Sequence, residues 1–299
     1  MKADPASAPQ QDEFDRLLIA MRPRLHRYCA RMVGSVVDGE DIVQDALIKA
    51  VQAWPAAAPI AQPEGWLFRI AHNTALDFLR RRSRLAALET SQGAEPMANP
   101  HDATALREMT RLSLRLFMQL PVGQRGSVIL IDVLGCAPRE VCEITGMSLV
   151  AVKAALHRGR ARLRELAANA DHAPQPELTP SDRARLSAYA ARFNAHDFDA
   201  VRAMLADDIR LDLVGRLRMR GKVEVSRYFG NYAKAADWHL VPGVVEGRPA
   251  LLVVDPTKPD AAPGYFMLLE WSDDGVTAIR DFRHASYIID GADFWLSEH

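Results

Sequence analysis

Five basic side chains lie on one stretch near the middle of the chain, and no acidic residue interrupts them. The stretch follows Gly146 and Ser148, and a serine here can accept a hydrogen bond from an early helix amide. Cationic side chains with this spacing can neutralise phosphates, so the chemistry they offer is nucleic-acid binding. The five residues are Lys153, Arg158, Arg160, Arg162 and Arg164.

These cations need a helix to present them, and the surrounding pattern predicts two. A short helix, a tight turn at Gly146 and a second helix capped by Ser148 form a helix-turn-helix, which docks in the major groove of DNA. A basic helix can also be a merely solvated surface, but turn, cap and single charge sign together favour DNA. The apolar positions that lock the two helices are Val141, Ile144, Met147, Val152, Leu156 and Leu163.

Composition sets the frame for this site. The chain has 299 residues, 48% of them hydrophobic and 25% charged, which is ordinary for a soluble protein of about two domains. The net charge of −1 hides basic runs at 80–84 and 153–164. Three cysteines without a Cys-x-x-Cys pair, no apolar segment of about 20 residues and a polar N-terminus predict a cytoplasmic protein outside the membrane. We expect no metal and no cofactor.

Composition shifts divide the chain into five segments. Residues 12–84 and 107–168 show helical periodicity, whereas 85–106 lose it and form a predicted linker. A proline-containing linker is predicted at 169–180, and 181–299 form a separate α+β domain with a hairpin at Asp274-Gly275. The predicted fold is therefore multidomain, two all-α domains followed by an α+β domain.

Two helices of the first segment have polar faces that function could use. The helix predicted from Asp38, its N-cap, to Trp54 has an apolar stripe that includes Val51, and an acidic face opposite. Acids near a helix N-terminus are also what the helix dipole alone favours. The helix predicted over 66–84 carries Arg, Asn, Asp and Arg at i, i+4, i+8 and i+11, where Asn and Asp can contact base edges. Trp66 at its start is either core or a base-stacking platform, and core is the commoner role.

These motifs resemble a known family. Segments 38–45, 66–73 and 77–82 are similar to conserved region 2 of extracytoplasmic-function (ECF) sigma factors of the sigma-70 family. Segment 120–125, Leu-Pro-Val-Gly-Gln-Arg, resembles their region 4 together with the helix-turn-helix. The resemblance covers roughly residues 12–168, with both regions in the expected order.

The resemblance implies a noncatalytic sigma factor that binds core RNA polymerase and promoter DNA. In region 2, one face would bind the β′ coiled coil, and another would recognise and help to open the −10 element. The polymerase-binding residues would be Asp41, Gln44 and Asp45. The −10 residues would be Arg69, Asn73, Asp77, Arg80, Arg81 and Arg82.

Region 4 would read the −35 element and contact the β flap of the polymerase. Ala154 and Ala155 depart from the Ser and Arg frequent in the family, which leaves fewer polar contacts to set the −35 sequence. Pro138 also departs from the family, but proline suits the first turn of a helix. The implied −35 residues are Arg139, Ser148, Lys153, His157, Arg158 and Arg160, with Arg139 and Arg160 expected on phosphates.

The C-terminal segment resembles SnoaL-like polyketide-cyclase domains, whose cone-shaped barrel is a curved sheet around a helix-lined pocket. Segments 189–199, 211–213 and 279–284 carry this resemblance. A buried Asp or His in such a pocket could be a general base, or Asp281 and His284 could be a structural hydrogen-bonded pair. The candidate pocket residues are Asp212, Trp238, Arg280, Asp281 and His284.

The sequence therefore favours an alternative sigma factor whose C-terminal domain regulates regions 2 and 4 by intramolecular contact. That domain could instead sense a small-molecule ligand, or act as a catalyst. A rival hypothesis is a cyclase or isomerase fused to an independent DNA-binding module, and a third is a dimeric DNA-binding protein. A protein of the rival class has no use for the polymerase-binding face or for Asn73 and Asp77.

Overall fold

The computed structural model of the chain divides into two compact units, each with its own hydrophobic core, and the described parts of the units lie within 7–168 and 177–297. None of the helices in the described part combines the length and the apolar character that crossing a membrane requires. The described residues are 7–57, 59–89, 114–168, 177–232, 238–258 and 261–297.

Three long helices open the first unit, α1 (Ser7–Val33), α2 (Val36–Ala57) and α3 (Pro63–Glu89). Ser35 caps α2, because its Oγ accepts a hydrogen bond from the Asp38 amide at 3.1 Å. The prediction that Asp38 is the N-cap is wrong, and Asp38 lies in the first turn instead. Helix α3 continues beyond the predicted boundary at residue 84, because the residues that follow are strong helix formers.

The rest of the first unit is built from shorter helices. After helical residues 114–118 come α4 (Val122–Val128), a π-helical turn (Ile129–Val133), α5 (Pro138–Thr145) and α6 (Leu149–Ala168). The predicted linkers lie mostly outside the described residues, at 90–106 and 169–176.

One core cluster joins all of these helices. It contains Ile42 and Leu67 from the first three helices together with Ile129, Val141 and Val152 from the later ones. The two helical regions that the sequence predicts are therefore packed into a single unit, because each contributes the apolar face that the other buries.

The described part of the second unit has a 3-10 helix (Arg283–Gly291) and four α-helices, α7 (Pro180–Asn194), α8 (Phe198–Ala203), α9 (Lys222–Ser226) and α10 (Phe229–Tyr232). Thr179 caps α7, since its Oγ1 accepts a hydrogen bond from the Asp182 amide at 3.1 Å. The predicted break between two helices around 194–197 is confirmed.

A seven-stranded sheet completes the second unit, in the order β2-β1-β6-β5-β4-β3-β7. Strands β1 and β6 pair in parallel and the other neighbours are antiparallel. The predicted hairpin is confirmed, with Ser272 opposite Gly275. The strands are β1 (Leu205–Leu213), β2 (Leu217–Arg220), β3 (His239–Val245), β4 (Arg248–Val254), β5 (Tyr265–Ser272), β6 (Gly275–Asp281) and β7 (Phe294–Leu296).

The core of the second unit lies between this sheet and its helices. One cluster contains Leu211 of β1, Val244 of β3 and Trp295 of β7, together with Leu186 and Phe193 of α7. Because strands near both edges reach the same cluster, the sheet must curve around α7. The predicted order, helical regions followed by an α+β domain with a curved sheet, is confirmed.

Candidate nucleic-acid interface

The turn between α5 and α6 has the geometry that the sequence predicts. Gly146 ends α5 with a φ of +73°, a left-handed conformation that glycine adopts without strain, and its amide donates to the Cys142 carbonyl at 2.9 Å. The Oγ of Ser148 then accepts a hydrogen bond from the Ala151 amide at 3.2 Å, which confirms the predicted cap of α6. Pro138 occupies the first position of α5, as expected.

Close packing fixes α6 against its neighbours. A Cβ at Gly159 would lie 2.7 Å from Cγ2 of Val128 in α4, so the two helices approach where the side chain is absent. Val152 and Ala155 of α6 are buried. Ala155 therefore faces the core, and only Ala154, which is half-buried, can alter the surface offered to DNA.

Three of the predicted −35 residues, Lys153, His157 and Arg158, are exposed on α6 and make no ion pair within the described ranges. Arg160 differs, because it forms a bidentate pair with Asp132, with Nε–Oδ2 and Nη2–Oδ1 distances of 2.9 and 2.5 Å. Arg139 is exposed on α5. The cations free for phosphate thus concentrate on one part of α6.

The predicted −10 residues lie on the exposed side of α3. Arg80 pairs with Asp77 at 3.0 Å, and an Nη1 of Arg82 donates to the Val33 carbonyl at 3.3 Å. The whole predicted set, Arg69, Asn73, Asp77, Arg80, Arg81 and Arg82, is exposed.

Trp66 belongs to an aromatic cluster. Its ring centroid lies 6.3 Å from those of Phe14 and Trp54, which stack on each other at 4.0 Å. The core role that the sequence analysis favoured is confirmed for this half-buried side chain.

The acidic face of α2 has an apolar extension. Asp45 is exposed, whereas Asp41 and Gln44 are half-buried. Ile48, one turn further along, is 49% exposed, and Val51 is 47% exposed rather than part of the buried stripe. This face therefore offers apolar as well as acidic contacts.

Arg125 is a buried residue that the sequence analysis did not single out. Its guanidinium donates to the carbonyls of Met32, Met118 and Leu120 at 2.5, 3.0 and 2.9 Å. Carbonyls at the end of a helix lack intrahelical partners, and Met32 lies in the last turn of α1. Arg125 thus fastens the later helices to the first three, and burial lowers its pKa.

His72 of α3 is a second residue that sequence reasoning missed. Its Nδ1 lies 2.6 Å from the Tyr28 hydroxyl, and burial lowers its pKa to about 4. The pKa of His26, whose Nε2 lies 2.9 Å from the Val36 carbonyl, is also lowered to about 4 by burial. Both imidazoles are neutral at pH 7 and serve packing.

A groove of about 900 Å³ lies between α3, the start of α4 and the turn of the helix-turn-helix. Leu79 and Arg80 line one side, and Val122, Thr145 and Met147 line the other. The −10 face and the helix-turn-helix are therefore neighbours in this arrangement.

Comparison with known proteins identifies the helical unit. Models of sigma-70 region 2 and region 4 match residues 17–85 and 112–163. SigM, an ECF RNA polymerase sigma factor of Mycobacterium tuberculosis, is 31% identical over 153 residues, 51% of this chain and 76% of SigM. The chain belongs to the ECF sigma factors. The shared core of the helical unit thus joins region 2 to region 4.

Two other similar proteins align with different shares of this chain. ECF sigma factor SigG of Mycobacterium tuberculosis is 33% identical over 205 residues, so the alignment spans 60% of this sigma factor and 55% of SigG. The structure of the ECF sigma factor SigJ from Mycobacterium tuberculosis covers 88% of this chain and 93% of its own, with 22% identity and a TM-score of 0.36.

The candidate residues of the C-terminal unit do not converge on one pocket. Asp281 is buried, and Trp238 packs in the same core, 5.5 Å from the ring of Tyr232. Arg280 instead pairs with Asp212 at 3.8 Å. Successive residues of a strand point to opposite faces, so Arg280 and Asp281 of β6 are necessarily separated. His284 is exposed.

Asp281 has tyrosines as its partners, not His284. The hydroxyls of Tyr228 and Tyr232 donate to its Oδ2 at 2.5 and 2.8 Å, and the Arg283 amide donates to its Oδ1 at 2.8 Å. Burial raises the pKa of Asp281 despite these bonds. The separation of β6 from α10 in the sequence hides this network from pattern analysis.

Proposed function

We propose that this ECF sigma factor is an alternative sigma factor, which binds core RNA polymerase in the cytoplasm and directs it to specific promoters. The observation that carries the proposal is the group of exposed cations on α6, Lys153 and Arg158, beside His157 and without acidic partners in the described structure. In a helix-turn-helix these side chains enter the major groove and contact the −35 element.

The two kinds of contact have different consequences. A base contact by Arg158 contributes roughly 1–3 kcal/mol of discrimination against a wrong base. Phosphate contacts by Arg139 and Lys153 act on every sequence and weaken as salt rises. Arg160 contributes less than the sequence implies, because its pair with Asp132 must be broken or shared.

Region 2 supplies the other two functions. The exposed face of α3 binds the −10 element, where Asn73 and Asp77 hold unstacked bases and Arg81 follows the backbone. The α2 face around Asp45 binds the β′ coiled coil, and exposed Ile48 adds apolar area to that contact. Region 4 also contacts the β flap.

The C-terminal unit is a regulatory domain of the SnoaL-like type and is not an enzyme. Asp281 is engaged by two tyrosine hydroxyls and fully buried, which favours a structural role over general-base catalysis. Its tether keeps the domain at a high local concentration near regions 2 and 4, where it adjusts their placement by intramolecular contact. A small-molecule ligand of this domain would act through that contact.

In vitro transcription tests the sigma factor role. Full-length protein and core RNA polymerase are given a library of genomic fragments, and we expect promoter-specific transcripts. Arg158→Ala should weaken selectivity at the −35 element and leave core binding unchanged. Arg164→Ala is the matched control, since Arg164 is an exposed arginine of the same helix but lies six residues after Arg158, about 120° around the helix axis. Unchanged selectivity of the Arg158 variant would contradict the assignment of Arg158 to the −35 element. If the wild-type chain gave no transcripts and did not bind core polymerase, the fused-enzyme hypothesis would be favoured instead.

Deletion after Ala170 tests the regulatory role of the C-terminal unit. Separate hydrophobic cores in the two units support independent folding of the shortened chain. We expect the truncation to change promoter activity at equal polymerase affinity or to change that affinity itself. A truncated chain with the same core affinity and the same promoter activity rejects intramolecular regulation.

A further inference from the structure

Val150, the second residue of α6, is 79% exposed. It lies two residues after the Ser148 cap, so it stands at the N-terminal end of the helix-turn-helix's second helix. The N-terminal residues of such a helix contact base edges in the major groove. An apolar side chain at this point leaves its methyl groups in water until a partner covers them.

Helix geometry gives the direction of this side chain. At 3.6 residues per turn, Val150 lies on the side of α6 opposite to buried Val152, Ala155 and Gly159. Lys153 and Arg158, both exposed, flank it on either side. The outermost strip of the helix is therefore apolar over its first turns, where Val150 and Ala154 lie, and continues with His157.

Ala154 extends the apolar strip by one turn. It stands where the family frequently has a serine, so a hydroxyl that could donate to a base is missing. The strip formed by Val150 and Ala154 can recognise a base only through van der Waals contact, and the thymine C5-methyl is the apolar group that the major groove presents.

We propose that Val150 is a specificity-determining residue that packs against the C5-methyl group of a thymine in the −35 element. This inference rests on the proposed sigma factor function. The flanking cations fit it, because Lys153 can hold a phosphate beside the groove and Arg158, two turns further along α6, can contact a separate base while Val150 reaches the thymine. The occupant is thus a methyl group in polyanionic DNA rather than an apolar protein surface.

Replacement of thymine by uracil removes only the methyl group and so tests the contact. A promoter is first selected with the full-length chain and core RNA polymerase from a template with a randomised −35 element. Each −35 thymine is then replaced singly by uracil. We expect one position at which uracil lowers open-complex formation by roughly 3- to 10-fold, as burial of one or two methyl groups predicts.

The variants complete a double-mutant cycle. Val150→Ala should lower open-complex formation on the thymine promoter by the same factor and make that position insensitive to uracil, and Val150→Thr should lie between. Val223→Ala is the matched control, because Val223 is also 79% exposed but lies in the C-terminal unit. It should change neither quantity.

Three results would overturn the inference. They are a selected −35 element without thymine, uracil effects that are equal in wild type and Val150→Ala at every position, and a Val150→Ala loss that comes from weaker polymerase binding. If the wild-type chain still gives promoter-specific transcripts, each of these results rejects only the role of Val150, and the proposed sigma factor function is retained. Without that transcription, both the proposed function and this inference fail.

Discussion

The two units satisfy their buried charged groups in different ways. The helical unit encloses Arg125, His26 and His72, two of which face backbone carbonyls, and its buried acid Glu40 pairs with a cation, Arg22. The C-terminal unit encloses the acidic group of Asp281 and satisfies it with the hydroxyls of Tyr228 and Tyr232. The buried guanidinium of Arg125 is therefore satisfied by backbone carbonyls, whereas the buried carboxylate of Asp281 is satisfied mainly by side-chain hydroxyls.

Secondary structure explains the difference. A helix leaves its last carbonyls without partners, and the carbonyls of Met32 and Val33 at the end of α1 accept hydrogen bonds from Arg125 and Arg82. In a sheet the ladder uses these carbonyls. At the end of β6 the group that still needs a hydrogen-bond partner is the carboxylate of Asp281, and Tyr232 of α10 supplies a donor.

Arg125→Ala should produce the largest loss of stability. It leaves the carbonyls of Met32, Met118 and Leu120 buried without a donor, and we expect the free energy of unfolding of the helical unit to fall by roughly 3–5 kcal/mol. Urea denaturation followed by hydrogen exchange in α1 measures this. Arg139→Ala, a change at an exposed arginine, should have little effect. Equal losses for the two variants would mean that Arg125 does not fasten region 4 to region 2.

The same experiment on Asp281→Ala examines the opposite sign. Removal of the carboxylate leaves the hydroxyls of Tyr228 and Tyr232 buried without an acceptor, so the C-terminal unit should lose about 2–4 kcal/mol. Asp207→Ala removes a fully exposed carboxylate from the same unit and is the control. A loss that appears in the helical unit rather than in β4 to β6 would contradict the assignment.

Whether a feature can be predicted from the sequence depends on how far apart along the chain the interacting residues lie. The helix-turn-helix was predicted from the sequence because Gly146, Ser148 and the cations of α6 are local signals. The roles of Arg125 and Asp281 were not, since their partners Met32 and Tyr228 lie 93 and 53 residues away. The cap of α2 was misassigned because Ser35 and Asp38 are both good caps, and the end of α1 decides between them.

Acidification should change the stability of the two units in opposite directions. The pKa of His26 is about 4 in the folded state and 6.5 as its ordinary value, so its stabilising effect is complete above pH 6.5 and is lost as the pH falls towards 4. Between pH 7 and 5 this amounts to about 2 kcal/mol. Asp281 has a raised pKa, so its effect runs the other way, with stability lost as the pH rises through its folded value.

Hydrogen exchange at pH 7 and 5, corrected for the intrinsic exchange rate, measures both units in one sample. We expect the opening free energy of α1 and α2 to fall on acidification, and that of β4 to β6 to stay constant or rise. His26→Gln should remove about half of the pH dependence in α1, because His72, which contacts Tyr28 of α1, has an equally lowered pKa. A parallel fall in both units would indicate that the buried histidines do not control the response.

The smallest effects are expected from alanine substitutions at two glycines, one in each unit, that share a left-handed backbone conformation. Gly146 has a φ of +73° and Gly247, in the turn between β3 and β4, has +76°, and a Cβ at either would meet no atom within 4 Å. Alanine at each should therefore lower the free energy of unfolding of its unit only by the cost of backbone strain, about 1 kcal/mol.

The functional consequences should differ, since Gly146 sets the angle at which α6 enters DNA whereas Gly247 only closes a hairpin. We expect Gly146→Ala to weaken promoter binding severalfold more than Gly247→Ala at equal loss of stability, measured as open-complex formation with core polymerase. Equal binding by the two variants would mean that the turn of the helix-turn-helix tolerates strain without moving α6, and that the DNA contacts do not depend on its geometry.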